Sequence, residues 1–438
     1  VPPADPDRTA DASDVTSADT WDDTSDDTAA VAREVDVLVV GGGPAGAAAA
    51  THLARAGRAT LLVDKAVFPR DKCCGDGLTT LALRELELLG FDPGTVPDWY
   101  EVDAAWLRSP GGREIRVPLP DTGAYAAVAP RLQLDNALVD IARAAGVDVR
   151  DGHAATGPIS TGPDHVEVTV EGIGRVRARH LVAADGMWSP VRKALGLAVP
   201  GYLGEWHAFR QYARGVTGPA AERLYVWFEA DLLPGYAWSF PLPGGRVNLG
   251  FGVLRDGVRR TKDMRALWDD LLSRPHVVAA LGPDAELEDR HTAWPIPARI
   301  DSITLTAPHT LFVGDAAAAT DVMTGEGIGQ ALLTGRLAAE AVLAGGPPGR
   351  VEQAYAEAVA HHLFADHRMS ARLGRVLAHR RGAEWALRIV AGSGTWGRRN
   401  FARWMFEDEP RAVVLTPSRW HRGFLSQPGA RFPTSASS

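Results

Sequence analysis

The apolar and polar positions along the chain change period several times, and each change marks an element. Val35-Asp36-Val37-Leu38-Val39-Val40 is a nearly unbroken β-branched run, the pattern of a strand buried on both faces of a parallel sheet. Glycines follow, then an alanine-rich helical stretch through Arg55, then a second apolar run from Ala59 to Val63. That is a β-α-β unit of the length a right-handed crossover needs. Helical spacing returns at 78–90 and from Leu132 to Ala145, with short strands and Pro/Gly turns over 101–128 between them. Strand-like runs occupy 165–170 and 175–183. Residues 206–254 read as an antiparallel sheet, with alternation in Leu224-Tyr225-Val226-Trp227-Phe228 and a turn at Pro243-Gly244-Gly245. Thr310 to Val313 is another buried-type strand, and a helix runs from about Gly325 to Ala344. Pro347-Pro348-Gly349 breaks the chain, and 350–406 is predominantly helical.

Composition narrows the classes. The 438 residues, 45% apolar, suffice for more than one domain. Cys73 and Cys74, the only cysteines, rule out a disulfide framework or a Cys-x-x-Cys zinc site. There is no apolar run of about 18 residues and no basic-then-apolar leader pattern. A reduced, cytoplasmic setting is the expectation. The net charge of −8 conceals a layout. Residues 1–33 hold nine Asp against two Arg and lack apolar period, so they read as a disordered acidic tail. Residues 367–438 hold 13 Arg against four acids. These Arg are interleaved with Trp385, Trp396, Phe401, Trp404, Phe406 and Trp420, a pairing that suits an anionic membrane surface. An Arg-rich helical cap, in a chain with 42 Arg and four Lys, is the competing reading. His361, His362 and His367 meet helical i, i+4 spacing only partly, so a solvated helix face is expected and no metal. No Ser-His-Asp order and no nucleic-acid module is present.

The chemistry concentrates in strand-end turns. Gly41-x-Gly43-x-x-Gly46 sits between a strand and a helix, the context a dinucleotide fingerprint requires. Its glycines permit a tight turn, close approach to a pyrophosphate, and close helix–strand packing, and the helix N-terminus adds free N–H groups. Gly41, Gly43, Pro44, Ala45 and Gly46 are therefore candidate cofactor contacts. Asp64, which ends the second strand and precedes Lys65, is the acid placed for ribose hydroxyls. Leu181 to Arg192 is a strand ending in Asp185-Gly186, and Leu311 to Ala317 repeats that geometry with Gly314-Asp315. Asp315 is suited to a polyol, while Asp185 suits either the cofactor or the turn itself. Gly325-Glu326-Gly327-Ile328 opens another helix, whose N-terminus suits an anionic flavin edge.

Together these segments resemble the FAD-dependent hydroxylase-type flavoproteins, and within them the geranylgeranyl reductase family. Asp71-Lys72-Cys73-Cys74-Gly75-Asp76-Gly77-Leu78 is similar to that family's Asp-Lys-Pro-Cys-Gly-Asp-Gly-Leu signature. Pro234-Gly235-Tyr236-Ala237-Trp238-Ser239-Phe240-Pro241 resembles its Tyr-x-Trp-x-Phe-Pro element, and Val128-Ala129-Pro130-Arg131 with Leu134-Asp135 is a further match. The resemblance spans roughly 34–345. It implies an α/β fold: a Rossmann-type FAD-binding domain with an inserted antiparallel β-sheet substrate domain and a helical C-terminal region. The expected segments are 34–108, 130–197 and 297–345 for FAD binding, strands in 109–129 and 198–296 for substrate, and 346–438 for the helical, basic end. Departures are Cys73 and Thr80 in place of family prolines, and Asp321-Val322 where Asn-Pro is usual. The last puts the rigidity of the loop beside the flavin in question.

The resemblance implies FAD as cofactor, held by Lys65, Cys74, Gly75, Gly77, Arg131, Ala155, Gly314, Asp315, Gly325, Gly327 and Ile328 besides the fingerprint and Asp64. It implies an isoprenoid lipid as substrate, possibly the menaquinone side chain, whose C=C bonds are reduced. Cys74, Tyr236 and Trp238 are the candidate catalytic residues. Cys74 reads as a proton donor, a gate for flavin movement, or a small residue fitted to a tight turn; a strained vicinal disulfide with Cys73 is a further option. Tyr225, Trp227, Tyr236, Trp238 and Phe240 line either a polyprenyl channel or a sheet core. The electron donor is NAD(P)H or a ferredoxin-like carrier, and the expected location is the inner face of the cell membrane. Two other functions compete: a flavin monooxygenase or halogenase using one of Lys65, Lys72, Lys193 and Lys262, and a non-catalytic flavin-containing lipid-binding protein.

Overall fold

The computed structural model describes residues 33–255, 261–347, 349–420 and 426–432, so the acidic segment 1–32 lies outside the described residues, as does the Lys262 side chain. Strand β1 (Arg33–Val40), helix α1 (Pro44–Arg55) and strand β2 (Thr60–Asp64) form the β-α-β unit. They sit mid-sheet in the parallel order Thr310–Phe312, Gly174–Ala183, β1, β2, Asp148–Asp151. The central position explains the unbroken apolar run of β1, because helices cover both faces and Val37, Leu38 and Val39 have no exposure. A hairpin of Ala155–Thr161 and Val166–Val170 extends Gly174–Ala183 on its antiparallel side. Helix Ile328–Ala344 packs on α1 so closely that a Cβ on Gly335 would stand 2.2 Å from the Ala45 carbonyl oxygen. The glycine fingerprint, Asp64, Asp185 and Asp315 all follow the C-terminal ends of parallel strands, the edge at which such sheets bind ligands.

The second sheet contains Trp206–Arg214, Arg246–Leu254, Tyr236–Leu242 and Leu224–Trp227 in antiparallel succession. Ala104–Arg108 then pairs in parallel with Leu224–Trp227, and Glu114–Pro118 closes that edge. Ala104–Arg108, expected in the first FAD-binding segment, thus joins this second sheet, where Ala105 and Leu107 bury against Ile115 and Val117. A second difference is helical. Thr261–Ser273 and Pro275–Leu281 follow the sheet read at 206–254, in a stretch of the expected substrate domain to which the sequence reading assigns no element. Met264, Trp268, Leu271, Val277 and Leu281 cover one face of the sheet, against Phe209, Tyr225, Trp227 and Phe251. The other face turns to the nucleotide-binding domain.

The C-terminal region is a run of helices, Arg350–Val359, a π-turn Ala360–Phe364, Ala365–Leu377, Arg380–Gly392 and Gly394–Met405. Leu387, Val390, Ala402 and Phe406 press onto Leu107, Ile115, Val117 and Leu119 of the substrate sheet. Phe406 is thus core, not surface. Among the described residues no helix is long and apolar enough to cross a membrane.

Candidate cofactor and substrate site

At the fingerprint, packing dictates two glycines and leaves the third open. A Cβ on Gly41 would meet the Ala184 carbonyl at 2.3 Å, and one on Gly46 would fall 1.8 Å from the Gly41 oxygen. Gly43 instead has only the end of the Arg70 side chain, 3.6 Å away, in front of it. Gly43 is also the N-cap of α1, with no side chain capping the helix, and Pro44 and Ala45 are its buried first residues. An open cradle at an uncapped helix N-terminus is what a pyrophosphate needs. Buried Asp64 accepts the Gly42 N–H at 2.7 Å on one oxygen and the Ala66 N–H at 2.8 Å on the other. Each oxygen keeps acceptor capacity for a ribose hydroxyl. The His153 N–H donates to the Asp64 carbonyl at 2.8 Å, which sets Ala155 beside the end of β2, while Lys65 is exposed.

The two strand-end aspartates part company. Asp185 accepts the Ser189 hydroxyl at 2.7 Å and the Val191 N–H at 2.8 Å, both from the start of helix Pro190–Ala194. Its two oxygens brace the turn, as the structural reading expects, and each keeps acceptor capacity, so its candidacy as a cofactor contact also stands. Asp315 instead pairs with Lys72 at 2.7 Å, across from the signature segment. Burial pushes its pKa up, but the Lys72 ammonium and Arg131 hold it below the ordinary carboxylate value. Arg131 is buried and forked to Asp135 by two 2.7 Å bonds, with Arg70 adding a third contact to that carboxylate at 3.0 Å. This fixes its charge near Cys74 and Asp315. Gly314 and Gly325 take positive φ of 57° and 71°, Gly327 caps helix Ile328–Ala344, and the Ile328 N–H donates to Glu326 at 3.2 Å.

The signature turn lies on the aromatic face of the substrate sheet. Val226 stands opposite Trp238 and Tyr225 opposite Ser239, so Tyr236, Trp238 and Phe240 share one face and Tyr225 and Trp227 the other. A Cβ on Gly75 would lie 3.4 Å from both Trp238 and Phe240, and one on Gly77 would lie 3.0 Å from Phe240. Tyr225 and Trp227 pack with the outer helices and are core. The channel reading therefore keeps Tyr236, Trp238 and Phe240 and loses Tyr225 and Trp227.

Beneath this face is a polar network that the sequence reading misses. Asp76 has φ +64° and is fully buried; it accepts Tyr212 at 2.5 Å and the Asn248 amide at 2.7 Å. Asn248 also donates to the Cys74 carbonyl at 2.9 Å and accepts the Trp238 indole N–H at 3.0 Å. Arg210 pairs with Asp71 at 2.7 Å. Burial pushes the Asp76 carboxyl up to about 6 despite these donors. The Cys74 thiol is driven up by burial to about 12, so at neutral pH it carries its proton and is no thiolate nucleophile. Both cysteines are free thiols, which removes the vicinal disulfide.

The loop that lacks its proline is held by other means. One Asp321 oxygen accepts the Met323 N–H at 3.0 Å, the Thr324 N–H at 2.8 Å and the Thr324 hydroxyl at 2.9 Å. From the substrate sheet, the Trp206 indole donates to the Val322 carbonyl at 2.9 Å and the Tyr236 hydroxyl donates to the Thr324 carbonyl. An aspartate-capped turn thus supplies the rigidity that Asn-Pro would give.

The open cradle at Gly43, the acceptor at Asp64, the charge pair at Asp315 and a second helix N-terminus at Gly327 fit a flavin dinucleotide. The FAD binding domain family matches residues 34–230. The menaquinone reductase of Mycolicibacterium smegmatis is 34% identical over 333 residues, covering 71% of this chain and 77% of the relative. The digeranylgeranylglycerophospholipid reductase 2 of Methanopyrus kandleri is 30% identical, covering 70% of this chain and 76% of the relative. A geranylgeranyl bacteriochlorophyll reductase-like protein from Thermoplasma acidophilum has the same fold, with a TM-score of 0.75 and 22% identity over 88% of this chain and 99% of its own. A halogenase crystallised with FAD shares the fold at a TM-score of 0.67 and 16% identity, covering 87% of this chain and 84% of its own.

Proposed function

The chain belongs to the FAD-dependent isoprenoid reductases, the geranylgeranyl reductase family, and from that premise we propose that it saturates a C=C bond in a polyprenyl lipid, the side chain of a menaquinone. The observation that carries this reading is the contact of the signature turn at Gly75 and Gly77 with the apolar face of Trp238 and Phe240. FAD, when bound and reduced, supplies the hydride. The protein's part is to hold a chain of isoprene units against that face, to exclude water, and to keep a proton at hand. Cys74 Sγ holds such a proton at neutral pH. The reductant is NAD(P)H binding transiently, or a ferredoxin-like carrier, since the sequence holds one convincing dinucleotide fingerprint.

The test is anaerobic: holoenzyme reduced with dithionite is given a menaquinone with an unsaturated chain, and the product is weighed by mass spectrometry. After the head-group quinol is reoxidised in air, a gain of two hydrogens in the side chain per bond reduced is expected. No such gain under anaerobic conditions, together with oxygen consumption and a hydroxylated or halogenated product when the assay is repeated in air, would replace this reading with the monooxygenase or halogenase one. Among the lysines whose side chains are described, Lys65 and Lys193 are exposed and Lys72 is engaged by Asp315, which disfavours a free catalytic lysine. A purified protein with no flavin band would defeat both.

A lipid substrate places the enzyme at the cytoplasmic membrane surface. Trp385, Ile389 and Trp396 are 64%, 66% and 74% exposed on the two helices whose inner faces dock on the substrate sheet. Arg381, Arg388 and Arg399 are exposed beside them, the make-up of a helix face that lies on anionic lipid. Arg403 does not belong to this face, being buried against Asp408. Neutralising Arg381, Arg388 and Arg399 together should release the protein from anionic liposomes; unchanged sedimentation with the vesicles returns these helices to a cap.

A further inference from the structure

We infer that Arg411 is a positioning residue for the cofactor loop Asp321–Ile328, and that through it the C-terminal region forms a third wall of the FAD site. The loop closes on itself, with the Asp321 N–H donating to the Glu326 carbonyl at 2.8 Å and the Gly325 N–H to the Asp321 carbonyl at 2.9 Å. One side-chain oxygen of Asp321 caps the loop from within. The other reaches out, accepting the Ser370 hydroxyl at 2.6 Å and the Arg411 Nε–H at 3.2 Å. Ser370 and Arg411 both lie beyond residue 346, past the motifs on which the sequence resemblance rests.

The same guanidinium secures the loop's far end. Arg411 Nη2 donates to Glu407 at 3.3 Å, and Glu407 accepts the Gln330 amide at 2.9 Å and the Thr79 hydroxyl at 3.0 Å. Gln330 lies in the first turn of helix Ile328–Ala344, whose N-terminus faces the cofactor crevice. Arg411 therefore spans the entry and the exit of the loop. Its side chain is 2% exposed and that of Asp321 5%, so neither charge is compensated by bulk water. A cavity of about 260 Å³, lined by Asp321, Gln330, Glu407 and Arg411 among others, adjoins the pair. Burial pushes the Asp321 carboxyl up, while Arg411, Ser370 and Thr324 pull it net below its ordinary value. The ion pair takes over the service of the missing Asn-Pro, and the catalytic part of the chain cannot present its helix N-terminus without the region after it.

A purely structural tether would also lower stability when broken, so the test separates stability from cofactor geometry. In the full chain, Arg411→Met leaves a buried carboxylate alone and should destabilise. Arg411→Met combined with Asp321→Asn removes both charges and keeps the internal cap. The double variant should regain part of the thermal stability, since Glu407 loses Arg411 but keeps Gln330 and Thr79, yet bind FAD at least about tenfold more weakly, the loss of a charge-assisted contact. Amide hydrogen exchange over 322–328 of the FAD-free protein should be correspondingly faster. Ser370→Ala, a milder change, should weaken FAD binding by about fivefold. FAD affinity and loop exchange at wild-type values in both the double variant and Ser370→Ala would overturn the proposal. FAD affinity that returns in step with melting temperature would also overturn it.

Discussion

Tyr225 and Trp227 stand one strand away from Tyr236 and Trp238, and the sheet sends the two pairs in opposite directions. The outer pair meets Phe251, Trp268 and the helices of 261–281, and Trp227 is 1% exposed. On the inner side Trp238 meets Gly75 and Gly250, and the polar atoms of the pair are both engaged: the Trp238 indole with Asn248, the Tyr236 hydroxyl with the Thr324 carbonyl. One face is packed for stability and the other is built for placement. The two faces share a residue type, so aromatic content alone says nothing about duty; what each ring touches does.

Three substitutions challenge that division, in falling order of expected effect. Trp227→Ala should cost about 3–5 kcal/mol of stability, the range for emptying a fully buried aromatic site. Urea unfolding measures it, and FAD bound per folded molecule should stay constant; a parallel loss of FAD would show that the faces are not independent. Trp238→Phe keeps most of the ring but leaves the buried Asn248 carbonyl without its indole donor, at about 1–3 kcal/mol. Its larger consequence should be a raised KM for the polyprenyl substrate, read in steady-state kinetics, whereas an unchanged KM would move Trp238 to the structural side. The smallest effect is a slope. Burial raises Asp76 to about 6 in the folded protein, so it binds a proton that the unfolded chain has already released. Its contribution to stability is full below about pH 4 and fades as pH rises through 6. The difference in urea midpoint between wild type and Asp76→Asn should change over that window and level off above it, and a pH-independent difference would contradict the shift.

Much of the cofactor crevice was legible because its constraints are local. Gly41, Gly46 and Asp64 act within one β-α-β unit, where spacing along the chain fixes spacing in three dimensions. Alternation in Leu224 to Phe228 showed that Tyr225 and Trp227 share a face, yet only the pairing of Val226 with Trp238 decides that it is the face opposite Trp238. Asp76 lies 136 and 172 positions from its partners Tyr212 and Asn248, a separation that no motif encodes. A buried Asn within the apolar run Val247-Asn248-Leu249 was the available hint. The helix at 261–273 was readable from Met264, Leu267, Trp268 and Leu271 at helical spacing, yet the sequence reading assigns no element between the sheet at 206–254 and the strand at 310. Asp185 and Asp315 look alike in sequence and differ only in what lies within reach: Ser189 and Val191 for one, Lys72 for the other.

The contact of α1 with helix Ile328–Ala344 bears on how the protein is born. Ala45 and Gly335 touch across about 290 positions of chain, and the strand Thr310–Phe312 joins the same sheet from nearly as far. At a synthesis rate of about 5–20 residues per second, the fingerprint emerges from the ribosome many seconds before its packing partner exists. During that wait the apolar faces of β1 and α1 have no permanent cover, and the crevice has only one wall. Holding of FAD is thus an event of the nearly finished chain, and high contact order makes its completion slow.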